Sequence, residues 1–273
     1  MNRNTKSYLY SIIAILICII VTIPYQIIVI SCFSTSADIK GNTVFDNLSF
    51  DNFMNNLLLL FQEEYFISSL ANSFIISITA ALIGVLVASM AGYAYAIYSE
   101  KYLHPLFLIS FSTMVIPAVV ILIPTFLIFK SLHLLDTYSA VILTSMSLPF
   151  LLYLFKQSTH LFPMELISVA RLDGLNEISI FFRIYLPYMK HMFIASVMIA
   201  FFNAWNSVLT PVVLLQSQSK FTNALYLNSL GSFWTADYAV MMLAILLSTL
   251  PSLILFLIFQ TSILKAMGSL NEW

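Results

Sequence analysis

The stretch PMELISVARLDGLNEISIFFRIYLPYMK, residues 163–190, is a polar interruption in a chain that is otherwise almost entirely apolar. Pro163 suits the first turn of one helix, and Gly174 suits its C-terminal end. Asn176 suits the N-cap of a second helix, which Pro187 is expected to stop. The stretch therefore predicts two short helices joined by a turn, a shape suited to a groove on another protein.

The second predicted helix carries an apolar face and the stretch carries several charges. Four apolar residues with helical spacing are expected to share the face: Ile178, Phe181, Phe182 and Tyr185. The charged side chains that are expected to accompany docking are Arg171, Asp173, Glu177 and Arg183.

Composition places the rest of the chain in a membrane. Apolar residues make up 60% of the sequence, charged residues only 8%, and the mean hydropathy is +0.95. Soluble domains are about a quarter charged. The net charge of −1 gives no reason to expect nucleic acid as a partner.

Apolar runs long enough to cross a bilayer predict an all-α integral membrane protein with six transmembrane helices in a single domain, residues 1–273. The spans lie near residues 8–32, 67–98, 105–129, 137–155, 192–215 and 238–264. Residues 33–66 form an extracytoplasmic loop, and residues 158–190 form a cytoplasmic loop between the fourth and fifth spans. The first span is too long for the apolar region of a signal peptide, so we expect it to be retained.

The positive-inside rule gives the orientation. With a cytoplasmic N-terminus, eight basic residues lie inside: Arg3, Lys6, Lys101, Lys156, Arg171, Arg183, Lys190 and Lys265. Only Lys40, Lys130 and Lys220 then lie outside. Both termini are therefore predicted to be cytoplasmic.

The second span carries a stripe of small residues at every fourth position. The stripe consists of Ala80, Gly84, Ala88, Gly92 and Ala96. Small side chains let another helix approach closely, so the stripe predicts a helix-packing surface. The packing partner is either another helix of this chain or a helix of a second membrane subunit.

Polar side chains within the spans are candidates for a substrate path, because an unpaired polar group in hydrocarbon is costly. The candidates are Asn72 at the start of the second span, and Asn203, Trp205, Asn206 and Ser207 in the fifth. Amide and aromatic groups together suit a sugar. The alternative is that these amides only tie helices together.

Several functions lack the residues that they need. No charged residue lies in the middle of a span, whereas a proton-coupled carrier would normally have one. The sequence contains no G-x-x-x-x-G-K-[ST] phosphate loop, no Cys/His spacing typical of a metal site and no catalytic constellation. We expect no enzyme activity, metal or cofactor in this chain. Two hypotheses about function are open from these residues: an ion-coupled secondary carrier, and a membrane scaffold that transports nothing itself.

The run P-x-E-L-x-x-x-A-R-L-D-G followed by R-I-Y-L-P resembles the cytoplasmic loop of ABC importer permease subunits. The resemblance is to the carbohydrate-uptake branch, in particular its maltose-type second permease. Further matching pieces along the chain are Asn72-Ser73, the A-G-Y-A-Y-A run at 91–96, Pro117, Pro124, L-L-D-T at 134–137, F-x-x-W-N at 202–206, Pro211, Pro251 and Phe259-Gln260.

This resemblance implies a second, homologous permease subunit, two ATPase subunits or domains and an extracytoplasmic solute-binding protein. It also implies that the loop couples the permease to the ATPase. The loop residues expected to take part are Glu165, Ser168, Ala170, Arg171, Asp173, Gly174, Glu177, Arg183 and Pro187. Ser168 stands where most relatives have a glutamate that pairs with the ATPase, and the chain ends at Trp273 without the longer tail that relatives often carry.

Overall fold

The computed structural model describes residues 3–41, 43–98, 101–230 and 237–270, so residues 271–273 of the tail lie outside the described part. The described residues are helical and contain no strand, which confirms the all-α class. The longer helices are α1 (Arg3–Ser31), α3 (Phe50–Gln62), α4 (Phe66–Ile97), α6 (Ala118–Ser131), α12 (Lys190–Trp205) and α15 (Tyr238–Leu270). The shorter ones are α2 (Ser36–Lys40), α5 (Leu103–Ser112), α7 (Tyr138–Ser145), α8 (Pro149–Thr159), α9 (Met164–Leu172), α10 (Glu177–Ile180), α11 (Leu186–Tyr188), α13 (Leu209–Leu214) and α14 (Asn223–Leu230).

Among the described residues, three helices are long and apolar enough to cross a membrane, over Tyr10–Ser31, Phe66–Ile97 and Tyr238–Ala266. Three bent helix pairs would raise the number to 6 if each pair is one span. The predicted count of six stays a prediction. Five of the predicted spans coincide with these segments, whereas the fifth, 192–215, overlaps only the second helix of the pair Glu177–Tyr188 and Lys190–Trp205. Side chains of Tyr10–Ser31 are almost all exposed, as expected for a helix that lipid surrounds.

The third and fifth predicted spans are interrupted. α5 and α6 meet at 106°, because Pro117 has no N–H for the helical ladder and disfavours a helical Ile116. In the fifth span α12 ends at Trp205, where the Asn206 side chain donates to the Phe202 carbonyl at 2.9 Å. A separate short helix, α13, follows and contains Pro211.

The chain forms two compact units, one of Met1–Ile67 with Leu227–Leu250 and one of Ser68–Tyr226 with Pro251–Trp273. In the first unit, the region predicted as an extracytoplasmic loop contains α2 and α3. Thr35 and Asp38 form a capping box at the start of α2. The Asn56 side chain of α3 donates to the carbonyls of Cys32 at 3.0 Å and Ser34 at 3.1 Å, which fixes α3 against the end of α1.

In the second unit, the small-residue stripe of α4 lies against α8 and the turn that precedes it. A Cβ atom on Gly84 would lie 2.7 Å from the Met146 carbonyl oxygen, and one on Gly92 would lie 2.5 Å from the Phe155 Cβ. Both contacts are closer than a side chain tolerates, so glycine is required at both positions. The stripe is predicted to pack against a helix of this chain or of a second subunit. For Gly84 and Gly92, the packing partner lies within this chain.

Candidate functional site

The predicted coupling loop folds as two helices joined by a tight turn. Gly174 adopts a φ of +79°, and no atom lies within 4 Å of a Cβ built on it. The Leu175 amide donates to the Ala170 carbonyl at 3.0 Å, which closes the end of α9. The Asn176 side chain accepts from the Ser179 amide at 2.8 Å and caps α10. The local sequence signals for this turn therefore agree with its geometry.

An ion pair joins the two halves of the loop, and a hydrogen bond joins the loop to α4. Arg171 Nε donates to Glu177 Oε1 at 2.7 Å, and the Tyr93 hydroxyl donates to Glu177 Oε2 at 3.3 Å. The hydrogen bond from Arg171 holds the pKa of the Glu177 carboxyl below its usual range. The two side chains are 42% and 41% exposed, so the pair itself contributes little to folding stability. Its role is to orient the turn relative to the end of α4.

Buried aromatic residues hold the second half of the loop. Phe181 and Tyr185 are buried, and their rings lie 5.6 Å and 4.7 Å from the ring of Tyr93. The Tyr185 hydroxyl is 2.7 Å from the hydroxyl of Thr159, which is also buried. The loop is thus packed against α4 and α8, and we expect it to move with them as one body.

The prediction that four apolar residues share one face is wrong. Phe181 and Tyr185 are buried, whereas Ile178 is 67% and Phe182 44% exposed. The physical reason is a π-helical stretch at Phe181–Tyr185, whose wider turn breaks the α-helical spacing. Pro187 also does not end the helix at once, because α11 continues to Tyr188 before an 85° bend into α12.

An exposed apolar surface surrounds the turn, and sequence reasoning missed most of it. We call it the loop surface: Leu166, Val169, Leu172, Ile178 and Phe182. Leu172 is 87% exposed, an unusual position for a leucine beside a glycine turn. No local sequence signal identifies this exposure, because it depends on which surfaces the rest of the chain covers.

The predicted polar coupling residues lie around this surface. Glu165, Asp173 and Arg183 are exposed. Ser168 is also exposed, and its hydroxyl donates to the Met164 carbonyl of its own helix at 3.3 Å. Ala170 is buried beneath them and takes part in packing. The loop therefore exposes apolar and charged side chains together, as protein interfaces do.

The structure separates the substrate-path candidates. Asn72 is buried, donates to the carbonyls of Ser219 at 2.9 Å and Phe221 at 3.1 Å, and accepts from the Tyr138 hydroxyl at 2.8 Å. Its amide is fully engaged, which favours the alternative that it ties segments together. Trp205 is buried and stacks on Phe201 at 5.4 Å.

The amides of the fifth predicted span remain accessible. Asn203 and Asn206 are exposed and Ser207 is half-buried. Asn206 and Ser207 follow the end of α12, where the break before Pro211 leaves polar backbone groups near them. The candidate path is therefore reduced to these three residues.

Sequence reasoning also missed a network around Asp136, which has a φ of 58°. Its carboxylate accepts from the Gln216 and Ser217 amides at 3.0 Å each, from the Ser217 hydroxyl at 2.7 Å and from Lys220 Nζ at 2.9 Å. Partial burial opposes the charge, but the bonds from Ser217 and Gln216 outweigh it and keep the pKa of Asp136 below its usual range. The network fixes the residue 215–220 segment beside the start of α7.

The comparisons with known proteins agree with one another. The sequence model of the family described as "Binding-protein-dependent transport system inner membrane component" matches residues 84–269. The chain is 31% identical to the lactose transport system permease protein LacG of Rhizobium radiobacter, over 86% of this chain and 84% of that protein. It is 31% identical to the arabinooligosaccharides transport system permease protein AraQ of Halalkalibacterium halodurans, over 95% of each. A chain of a bacterial ABC transporter involved in the import of the acidic polysaccharide alginate has the same fold, with a TM-score of 0.81 at 19% identity over 96% of this chain and 98% of that one.

Proposed function

Because this chain belongs to the family of binding-protein-dependent transport system inner membrane components, we propose that it carries a sugar across the cytoplasmic membrane. It is a permease subunit of an ABC importer, a transport subunit and not an enzyme, and ATP hydrolysis resides in a separate subunit. The observation that carries the proposal is the family match over residues 84–269, which includes the whole coupling loop. The carrier and scaffold hypotheses have no comparable support.

Sugar is the proposed substrate class because two relatives are named for lactose and arabinooligosaccharide transport. The predicted spans contain no basic cluster that would argue specifically for an anionic substrate. The exposed Asn203 and Asn206 and the half-buried Ser207 are the proposed polar contacts, since amides and hydroxyls can bond sugar hydroxyl groups.

The proposed assembly contains this chain, a second homologous permease, two ATPase subunits or domains and an extracytoplasmic solute-binding protein. ATP and magnesium would bind to the ATPases alone. The chain would lie in the bilayer as one permease domain of six spans, with both termini and the coupling loop in the cytoplasm. The distribution of lysine and arginine supports this orientation.

Transport would proceed by alternating access. ATP-driven closure of the ATPases moves the loop surface, and the loop transmits that movement because Tyr93, Phe181 and Tyr185 fix it to the helices. The connection must be rigid, because a flexible loop would absorb the movement of the ATPases. An interface shifts a two-state equilibrium only through contacts that differ between the states. The exposed Leu172 and Ile178 are the proposed apolar contacts with the ATPase. The exposed charged residues of the loop set the orientation in which the two proteins dock.

The test is uptake of labelled lactose and labelled arabinooligosaccharide by cells that contain or lack this chain. We expect uptake of at least one of these sugars to disappear with the chain. In cells that contain the chain, Leu172→Glu should abolish uptake of that sugar, while the chain stays in the membrane. It should also abolish recovery of the ATPase with the purified permease. Leu172→Met, which keeps an apolar side chain, is the matched control and should retain both. Normal ATPase recovery with Leu172→Glu would contradict the role of the loop surface, and unchanged uptake of every sugar on deletion would contradict the substrate class.

A further inference from the structure

Two adjoining cavities lie between α8, the start of α12 and the end of α15. The first, of about 260 Å³, has both polar and apolar groups in its lining and is called the polar cavity here. It is lined by Ser158, Leu161, Tyr188, Met189, His191, Met192 and Lys265. The second, of about 290 Å³, is wholly apolar and is lined by Leu154, Met192, Ala195, Met198, Ile199, Phe202, Phe256, Ile263 and Ala266. Met192 lines both cavities, so they share a wall.

On each of the three helices, the residue that lines the polar cavity lies nearer the proposed cytoplasmic end than most of those that line the apolar cavity. On α8, Leu154 lines the apolar cavity and Ser158, one turn later, lines the polar one. On α15, Phe256 and Ile263 of the apolar cavity precede Lys265 of the polar one, and Ala266, which follows Lys265, also lines the apolar cavity. On α12, which runs in the opposite direction, His191 comes before the apolar residues. Together they form a slot with a polar end on the proposed cytoplasmic side and an apolar end toward the bilayer centre.

The polar cavity has the groups that an anion requires. Ser158 is 2% exposed, and its hydroxyl has no hydrogen-bond partner among the described residues. The same holds for Nδ1 of His191. A buried polar atom without a partner is costly, which points to a ligand that completes its bonding. Lys265 supplies a positive charge, and the cavity opens at the first turn of α12, where the helix dipole is also positive.

We propose that this slot binds one anionic phospholipid of the cytoplasmic leaflet. The phosphate group lies beside Lys265, His191 and Ser158, and an acyl chain lies in the apolar cavity along α12. The apolar cavity has a buried floor of Met192, Ala195 and Met198, and half-exposed walls, so a chain can enter from the bilayer. The proposal rests on the proposed orientation of the chain, because the basic end must face the cytoplasmic leaflet.

A lipid fits these observations better than the other occupants. A free phosphate ion would use the polar cavity and leave the apolar one empty. A helix of another subunit would cover the apolar cavity but would leave the buried Ser158 hydroxyl without a partner. Only a molecule that joins a phosphate to a hydrocarbon chain uses both cavities and the wall that they share.

The experiment measures lipid retention by the purified importer complex. The complex is taken from nanodiscs of equal parts phosphatidylcholine and phosphatidylglycerol into detergent, and retained lipid is counted by native mass spectrometry. We expect one phosphatidylglycerol per chain to remain. Lys265→Gln should lower its retention about fivefold, because a basic side chain near an anionic lipid contributes on the order of 1 kcal/mol. Lys101→Gln, an exposed lysine on the same proposed side of the membrane, should leave it unchanged.

A second pair of variants tests the apolar cavity. Ile199→Trp fills it and should also displace the lipid, whereas Ile258→Trp, on an exposed part of α15 outside the cavity, should not. Retention is counted only for complexes that elute as a single assembled species, so a misfolded variant is excluded.

Three outcomes would overturn the proposal. One is an equal loss with Lys265→Gln and Lys101→Gln, and another is displacement of the lipid by inorganic phosphate as readily as by phosphatidylglycerol vesicles. The third is loss of the second permease from the complex with Ile199→Trp, which would assign the apolar cavity to a helix contact. Retention is measured without transport, so its failure leaves the importer function standing. Labelling of Lys265→Cys from outside the cell would instead refute the orientation.

Discussion

At the scale of single residues, the coupling turn depends on a few side chains with local partners. Gly174 takes the left-handed backbone, Asn176 caps α10, and Arg171 pairs with Glu177 across the turn. All of these contacts join residues close in sequence. This is why caps and a glycine could predict the turn, whereas the exposure of Leu172 could not be predicted, because it depends on which surfaces the rest of the chain covers.

The ion pair makes the turn sensitive to acid. The pKa of Glu177 is lowered in the folded chain, so its contribution is present above the ordinary pKa of about 4.3 and is lost as the pH falls through the folded value. We expect amide hydrogen exchange across residues 171–177 to become faster relative to the random-coil rate as the pH is lowered from neutral to strongly acidic. Glu177→Gln should show fast exchange at every pH.

Glu165→Gln is the control for this prediction. Glu165 is exposed on the same loop, and its loss should leave the acid response unchanged. An acid response that survives in Glu177→Gln would mean that another group controls the turn. The energy involved is small, since pairs as exposed as this one contribute at most about 1 kcal/mol.

At the scale of elements, α4 is the helix on which the second unit is built. It carries the stripe glycines on one side, Tyr93 under the coupling loop and Asn72 at its other end. The period of small residues predicted a close contact, but the sequence alone left its partner open. Long-range packing decided that question, because the Met146 and Phe155 backbones occupy the space that side chains on Gly84 and Gly92 would need.

Gly92→Leu is expected to destabilise this contact strongly. A Cβ there would lie 2.5 Å from Phe155 Cβ and 2.9 Å from the Lys156 amide nitrogen, so backbone must move. Overpacking of this kind typically costs about 1–3 kcal/mol. The detergent-solubilised chain should therefore unfold at a temperature several degrees lower. Val87→Leu, which places the same leucine side chain at a 57% exposed position of α4, should change little. Equal melting temperatures for the two variants would refute the close contact.

At the scale of the whole molecule, the amount of apolar sequence and its division into runs predicted a membrane protein, because burial in lipid depends mainly on composition. The breaks within those runs were harder to predict. Pro117 and Pro124 both lie in the third predicted span, yet the 106° bend occurs at Pro117 alone, while α6 continues through Pro124. The Asp136 network was missed for a related reason, because it joins residues about eighty positions apart.

Asp136→Asn tests how far that network holds the unit together. Asparagine tolerates the same left-handed backbone, so the change removes the charge without altering the backbone preference. We expect the residue 215–220 segment to detach more often, since loss of a charged hydrogen-bond acceptor costs about 1.5–3 kcal/mol. Limited proteolysis of the purified chain should cut this segment at least tenfold faster. Asp173→Asn, an exposed aspartate elsewhere, should not change the rate. Unchanged cleavage in Asp136→Asn would show that the segment is held by other contacts.

The polar bonds around residues 215–223 bear on how this protein can be engineered. This one short connection is hydrogen-bonded to Asn72 and Ser73 in one stretch of the chain and to Asp136 in another. An epitope tag or fluorescent label inserted there would disturb both stretches at once, although the connection resembles an ordinary polar loop in the sequence. The open side of Gly174, where a Cβ meets no atom within 4 Å, has room for an added group but belongs to the proposed ATPase surface. An insertion intended to leave transport intact should avoid both places.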